Sequence, residues 1–161
     1  MSNSTTKQTI EIRQATKEDD TSIAQHFYLI WRDNNVSDES IKPDWFKMTL
    51  DFIDDARQNQ NYQAFVADVE GIVVASASCQ LFSGLYPRIL QEQYRHYGYI
   101  WNVYVKPAYR GQGIAKQLLA STQEYLKSLG CTRAILHASP LGKPVYEHLG
   151  FQVSNEMLVD L

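Results

Sequence analysis

The 161-residue chain holds only two cysteines, Cys79 and Cys131. Neither belongs to a Cys-x-x-Cys pair, which argues against a disulfide framework and against a zinc site. His26, His137 and His148 show no metal spacing, so no metal is expected. No apolar run approaches the roughly 18 residues that a membrane span needs. Positive charge is not in excess: 15 Lys and Arg stand against 18 Asp and Glu, a net charge of −3. No bulk basic field therefore suggests a nucleic-acid partner. The opening residues, MSNSTTKQT, lack the apolar region of a signal peptide. The expectation is a cytoplasmic protein, monomer or homodimer, with neither a nucleic-acid nor a membrane partner. Its length and its 44% hydrophobic content suit one domain, residues 9–161, behind a short disordered tail, residues 1–8.

The pattern that is present alternates strands with helices. Ile10, Ile12 and Gln14 give a short strand. Thr16 reads as an N-cap, with Glu18, Asp19 and Asp20 in the first turn. Ile23, Phe27, Ile30 and Trp31 follow at helical spacing and stop near Asn34 and Asn35. A second helix is expected over residues 43–57, with Pro43 in its first turn. Residues 62–82, YQAFVADVEGIVVASASCQLF, read as two strands joined at Glu70-Gly71. Residues 83–97 read as a long loop or short helix, and residues 99–105 as a strand. An amphipathic helix is expected over 111–129 and a strand over 133–137. A helix near Gly142 or Lys143 and two terminal strands, 151–153 and 157–159, complete the order β-α-α-β-β-β-α-β-α-β-β. That order belongs to the α/β class, as an α+β mixed sheet with helices on its faces.

Residues 103–115 read VYVKPAYRGQGIA, a strand running into a helix through two glycines. Glycine is unfavourable inside a helix by about 1 kcal/mol relative to alanine. Its placement at this join therefore points to a turn or to a close approach of something to the backbone. A helix N-terminus carries roughly half a positive charge and exposes N–H groups, so it suits an anion. Arg110, Lys106 and Lys116 add local positive charge. A pyrophosphate is the natural guest. The loop is no P-loop, because Gly-x4-Gly-Lys-Ser/Thr is absent. Nor is it the dinucleotide Gly-x-Gly-x-x-Gly, whose third glycine is replaced by Lys116.

Further on, residues 138–151 read ASPLGKPVYEHLGF. Arg110, Gly113 and Ala115 match the motif Arg/Gln-x-x-Gly-x-Gly/Ala, and Tyr146, Gly150 and Phe151 match Tyr-x-x-x-Gly-Phe. Together, and in this order, they resemble the GNAT superfamily of N-acetyltransferases, most strongly over residues 100–151. The resemblance implies the acyl-CoA N-acyltransferase fold with splayed central strands. It also implies acetyl-CoA as co-substrate and transfer of its acetyl group to an amine by direct attack in a ternary complex. It places the pantetheine arm beside Val103, Tyr104 and Val105, and the pyrophosphate on the N–H groups of Arg110, Gly111, Gln112, Gly113, Ile114 and Ala115. It puts Tyr146 near the sulfur as general acid. A thiol titrates near ~8.5 and a tyrosine near ~10, so Tyr146 holds its proton at neutral pH and can give it to the departing thiolate. The family often has Asn seven residues before this Tyr. Here the residue is Ser139, which can cap the helix and touch the pantetheine over a shorter reach. Lys143 is a further candidate contact for a coenzyme phosphate.

A protonated amine cannot attack, so a base or a water chain is required. Glu92, His96, Tyr97 and Tyr99 precede the binding strand, and His96 has the best-suited unperturbed pKa, near ~6.5. Trp31, Trp45, Tyr86, Tyr94, Tyr97 and Tyr99 are candidates for lining an acceptor pocket. The acids Asp33, Asp38, Glu39, Asp44 and Glu92 lie in the same segments and would favour a cationic small-molecule or peptide amine. The alternative reading is a module that binds acyl-CoA as a sensor without turnover.

Overall fold

The computed structural model describes residues 8–161, and the expected disordered tail lies outside these but for Gln8. Gln8 itself accepts a hydrogen bond from the Tyr109 hydroxyl at 3.3 Å. The elements are β1 (Glu11–Gln14), α1 (Asp20–Asp33), α2 (Trp45–Asn59), β2 (Gln63–Val69), β3 (Ile72–Leu81), β4 (Tyr97–Val105), α3 (Ile114–Ser128), β5 (Arg133–Ile135) and α4 (Lys143–His148). The five strands form one sheet in sequence order, antiparallel except for the parallel pair β4–β5.

Helices cover both faces of the sheet. On one face Phe65, Ala75, Ile100, Ile114, Leu118 and Leu126 form a core against α3. On the other, Ile23, Ile53, Tyr62, Val66 and Val73 pack β2 and β3 against α1 and α2. A strand buried on both faces needs no polar side, which explains the nearly continuous apolar and small-residue run of β3. The β2–β3 connection is a two-residue turn, with Glu70 at φ 52° and Gly71 at φ 85°. Positive φ at both positions is the geometry whose twist matches that of a hairpin. Two ion-pair groups fix the entry to α1. Arg13 bridges Asp19 at 2.9 Å and Asp68 at 3.0 Å. Asp20, nearly buried, takes both terminal nitrogens of Arg57 from α2 at 2.9 and 2.7 Å. Carboxylates this enclosed are tolerated because each is paired.

The sequence-based elements need corrections: β4 begins at Tyr97, two residues before the expected strand, and α2 runs on to Asn59, two residues past its expected end. Helix α2 begins at Trp45, two residues after Pro43. Strand β5 ends at Ile135, short of the expected residue 137. Helix α3 begins at Ile114, because Gly111 and Gly113 sit at φ 77° and 78°, which no right-handed helix admits. The two terminal strands do not form. Residues 151–161 have no regular structure, and Val153, Met157, Leu158 and Val159 are exposed. Among the described residues no strand pairs with the outer edge of β5. The parting strands, β4 and β5, thus stand at the edge of the sheet and not at its centre. Among the described residues no helix is long and apolar enough to cross a membrane.

Gly98 sets how closely α3 lies on β4. A Cβ built there would stand 2.5–2.9 Å from three carbons of the Leu126 side chain, itself fully buried. Gly98→Ala is expected to lower the unfolding free energy by about 1–3 kcal/mol, the usual cost of overpacking, as read from urea denaturation. An unchanged midpoint would show that Leu126 has room to move.

Candidate active site

Strand β4 carries one extra residue. Trp101 pairs with Ser78 and Tyr104 with Ser76, so Asn102 and Val103 together oppose Ala77 in a β-bulge. Asn102 takes φ 55°, a left-handed conformation that asparagine tolerates better than most side chains. The bulge resets the alternation of the strand. Trp101 packs towards the α1–α2 face, while Val103, two residues on, joins the α3 face. Buried polar groups support it. Asn102 Nδ2 donates to Ser76 Oγ at 3.1 Å, and Ser76 Oγ lies 2.7 Å from His26 Nδ1 on α1. Ser76 Oγ thus joins the bulge to the ring of His26, which is neutral. Burial, with Lys106 nearby, pushes His26 down to about 4. Asn102 Oδ1 is buried without a partner among the described residues.

Beside the bulge the sheet opens. β4 and β5 pair at Tyr97–Arg133, Gly98–Ala134 and Tyr99–Ile135, and nowhere beyond. β4 continues to Val105, so the edge over residues 100–105 has no β5 partner. The backbone groups that this edge turns outwards have no β5 partner, although the Val105 carbonyl is taken by Arg110. The strand leads directly into the glycine loop. The amides of residues 111–116 meet no backbone acceptor among the described residues, and no side chain caps the helix at Gly113. The Arg110 amide differs from the expectation, since it is taken by the Pro107 carbonyl at 3.3 Å. Gly111 and Gly113 are needed for their positive φ. Among the described residues, a Cβ at either would meet nothing within 4 Å.

The Arg110 side chain folds back. Its Nε donates to Val105 O at 2.8 Å, Nη2 pairs with Asp33 Oδ2 at 3.1 Å, and the guanidinium stands 5.7 Å from the Tyr104 ring centre. It fastens the loop to the end of β4 and to the last turn of α1. Tyr146 of α4 packs edge-on against Phe151, with ring centres 5.6 Å apart, and joins the α3-face core. Burial raises its hydroxyl to about 12, so Tyr146 stays protonated at neutral pH. Ser139 is engaged locally. Its hydroxyl accepts the Gly142 amide at 3.1 Å and its carbonyl accepts the Lys143 amide at 2.9 Å. Lys143 reaches Glu147 one turn on, at 3.8 Å.

The candidate acceptor residues divide. Trp31 is half exposed and stands edge-on to Phe27, which meets Trp101 at 5.2 Å, and Phe52 meets the same indole at 5.3 Å. This aromatic wall runs from the surface of α1 and α2 to the bulge. The indole is fixed by a hydrogen bond from Trp101 Nε1 to Gln80 Oε1 at 3.0 Å. Trp45 lies flat against Tyr28, 4.5 Å between centres, away from Trp101. Tyr97 stands between the guanidinium groups of Arg95 and Arg133. Tyr86 and Tyr94 are exposed on the loop of residues 83–96. His96 ends that loop and only its backbone is held, by Thr132. It precedes Tyr99 by three residues, about 10 Å along a strand and on the side away from the glycine loop. Asp33 and Asp38 do not stand free to attract an amine: Asp33 binds Arg110, and Asp38 takes the Tyr28 hydroxyl and lies 3.4 Å from Arg32.

Sequence reasoning missed Asn102, the wall formed by Phe27, Phe52 and Trp101, and a contact between Tyr99 and His137. No local pattern marks a bulge at Asn102. Phe27 and Phe52 carry helical spacing that reads equally as core. His137 lies just past a strand, a position with no signal of its own.

The Acetyltransferase (GNAT) family model matches residues 24–151, and the chain belongs to that family. It is 41% identical over 68 residues to glucosamine 6-phosphate N-acetyltransferase of Trypanosoma brucei brucei, covering 42% of this chain and 46% of that protein. It is 27% identical over 119 residues to thialysine N-epsilon-acetyltransferase of Sus scrofa, covering 71% of this chain and 64% of that one. The chain thus spans about half to two thirds of these relatives. A crystal structure of a predicted acetyltransferase from Clostridium acetobutylicum with acetyl-CoA superimposes with a TM-score of 0.80 at 24% identity. The match covers 95% of this chain and 96% of that one, and it supports the fold.

The neutral, buried His26 predicts a pH signature. Its folded pKa, about 4, lies below the unfolded value of 6.5. The stabilisation from keeping it neutral is complete above pH 6.5 and is lost as pH falls towards 4, at most about 3 kcal/mol. Asp19, whose pKa Arg13 lowers from 3.8, loses its contribution only below that pH. Urea midpoints should fall between pH 6.5 and 4, and His26→Gln should flatten that slope. An equally steep slope in the variant would assign it elsewhere.

Proposed function

We propose that the protein is an acetyl-CoA-dependent N-acetyltransferase that moves the acetyl group to a small primary amine by direct transfer in a ternary complex. The observation that carries this reading is the free edge of β4 over residues 100–105, continuous with the unpartnered amides of residues 111–116. An extended amide-bearing arm can pair with such an edge as a strand would. A pyrophosphate suits the N–H groups at the start of α3. The residues fit acetyl-CoA on both counts, and the family's activity agrees with them.

In this reading each side chain has a limited task. An N–H of the β4 edge polarises the thioester carbonyl, as oxyanion-hole donors do. Tyr146 holds its proton until the carbon–sulfur bond breaks and then donates it to the leaving sulfur, which departs as a thiol. Arg110 keeps the amide row in register with β4. The amine enters from the α1–α2 side along Trp31, Phe27 and Trp101, where aromatic faces favour a cationic group by about 0.5–2 kcal/mol. The relatives' names pair this chemistry with an amino sugar phosphate and with a lysine analogue, so both classes belong in the first assay.

Release of free thiol from acetyl-CoA should be measured with glucosamine 6-phosphate, thialysine, polyamines and aminoglycosides. Turnover with at least one is expected. Tight acetyl-CoA binding with no thiol release from any amine would favour a sensor instead. Tyr146→Phe should lower kcat by about 10²-fold with little change in acetyl-CoA affinity. A kcat within about twofold of wild type would remove Tyr146 from the mechanism. Gly113→Glu should abolish acetyl-CoA binding in calorimetry. Unchanged affinity in a folded variant would move the pyrophosphate elsewhere.

A further inference from the structure

Three side chains from distant parts of the chain form a hydrogen-bonded line at the floor of the opening. Tyr99 belongs to the last register pair before β4 and β5 part. Its hydroxyl oxygen lies 2.6 Å from His137 Nδ1, two residues beyond β5. His137 Nε2 lies 2.6 Å from Glu156 Oε2, in the segment after α4. The protons on this line follow from chemistry. An ionised carboxylate can only accept, so His137 Nε2 carries the hydrogen, and in the neutral ring Nδ1 then offers a lone pair. Tyr99 is then the donor to Nδ1, and its oxygen keeps lone pairs free to accept. The line has a direction, from Tyr99 through the ring to the carboxylate.

We propose that Tyr99, His137 and Glu156 form the proton relay that deprotonates the amine in the reaction proposed above, with His137 as the base. The balance is simple. An ammonium N–H bond breaks as an O–H bond forms on Tyr99. The original Tyr99 O–H bond breaks as an N–H bond forms on His137 Nδ1. No electron is gained or lost, and the neutral amine remains to attack the thioester. The resulting imidazolium is stabilised by Glu156. Being well exposed, with 60% of the His137 side chain accessible, it returns its proton to water.

Two features favour a relay over a phenolate base. Burial, and then the Glu156 charge, raise the Tyr99 pKa, so Tyr99 does not remain without its proton and must pass on one for each it receives. Tyr99 also has the right orientation. Strand alternation places it on the same face as Trp101, two residues on, whose indole ends the aromatic wall along which the amine approaches. His96, the base that the sequence suggests, has no such line of contacts. The relay also gives the unpaired segment after α4 a task, since that segment supplies Glu156.

The inference rests on the acetyltransferase reading, and its tests separate the two. The tautomer of His137 can be read without turnover from a long-range proton–nitrogen correlation spectrum of the free protein. The Nε2–H form is expected, and in Tyr99→Phe the Nδ1 resonance should shift. A predominant Nδ1–H form would overturn the relay whether or not the protein acetylates. In turnover with acetyl-CoA and the better of thialysine and glucosamine 6-phosphate, His137→Ala and Tyr99→Phe should each lower kcat by about 10²-fold. Acetyl-CoA affinity should stay within about twofold. Glu156→Gln should lower kcat by about tenfold. Imidazole added to His137→Ala should restore activity saturably, which a residue that only pins the terminal segment would not allow. A His137→Ala enzyme with wild-type kcat would overturn the relay and leave the acetyltransferase assignment intact.

Discussion

The arrangement of this molecule depends on one strand that stops pairing along one edge. A backbone N–H or C=O that finds no partner in the protein must find one in water or in a ligand, because leaving it unmet and buried costs about as much as a lost hydrogen bond. β4 leaves such groups along residues 100–105, while its other edge stays bonded to β3. An exposed edge of this kind is ordinarily a hazard, a template for unwanted pairing. Here it is short and it leads into a helix N-terminus, so it suits an extended polar ligand.

The opening is held by contacts above and below it. At the base, three residue pairs join β4 to β5, and the absence of a side chain at Gly98 brings α3 against the sheet. Beside it, the bulge at Asn102 redirects the strand and is stitched to α1 through Ser76 and His26. Above it, Arg110 bonds the Val105 carbonyl and Asp33, so the glycine loop, the strand end and α1 move together. The Arg110 side chain is thus used to hold the loop, and the amides of residues 111–116 are the groups left for the anion in the function proposed above.

The two faces of the sheet have different tasks. The α3 face is densely apolar and carries Tyr146 with it. The α1–α2 face is mixed: aromatic rings lead inwards, while several of its acids are taken up by neighbouring arginines. In the function proposed above, the chemistry common to the family uses the α3 face and the free strand edge. In the same proposal, the choice of acceptor falls to the aromatic side of α1 and α2 and to the exposed loop of residues 83–96, and exposed loops vary readily without disturbing a fold.

Sequence alone determined what depends on near neighbours along the chain. Helical periodicity located α1, α2 and α3 to within a few residues. Glu70-Gly71 specified the hairpin, and Gly111 and Gly113 marked a turn at a helix start, because backbone conformation and side-chain period are local properties. The motif that holds Tyr146 was legible because it and its helix lie in one stretch of chain. Tertiary structure decided the rest. The partner of Arg110 is 77 residues away, that of His26 is 50 away and that of Tyr99 is 38 away. The terminal strands had suitable composition but found no edge to join. The bulge at Asn102 exists because β3 and β4 differ by one residue in register, which is a property of the pair and of neither strand. Such contacts depend on which surfaces the packed elements bring together, and no local pattern in the chain records that.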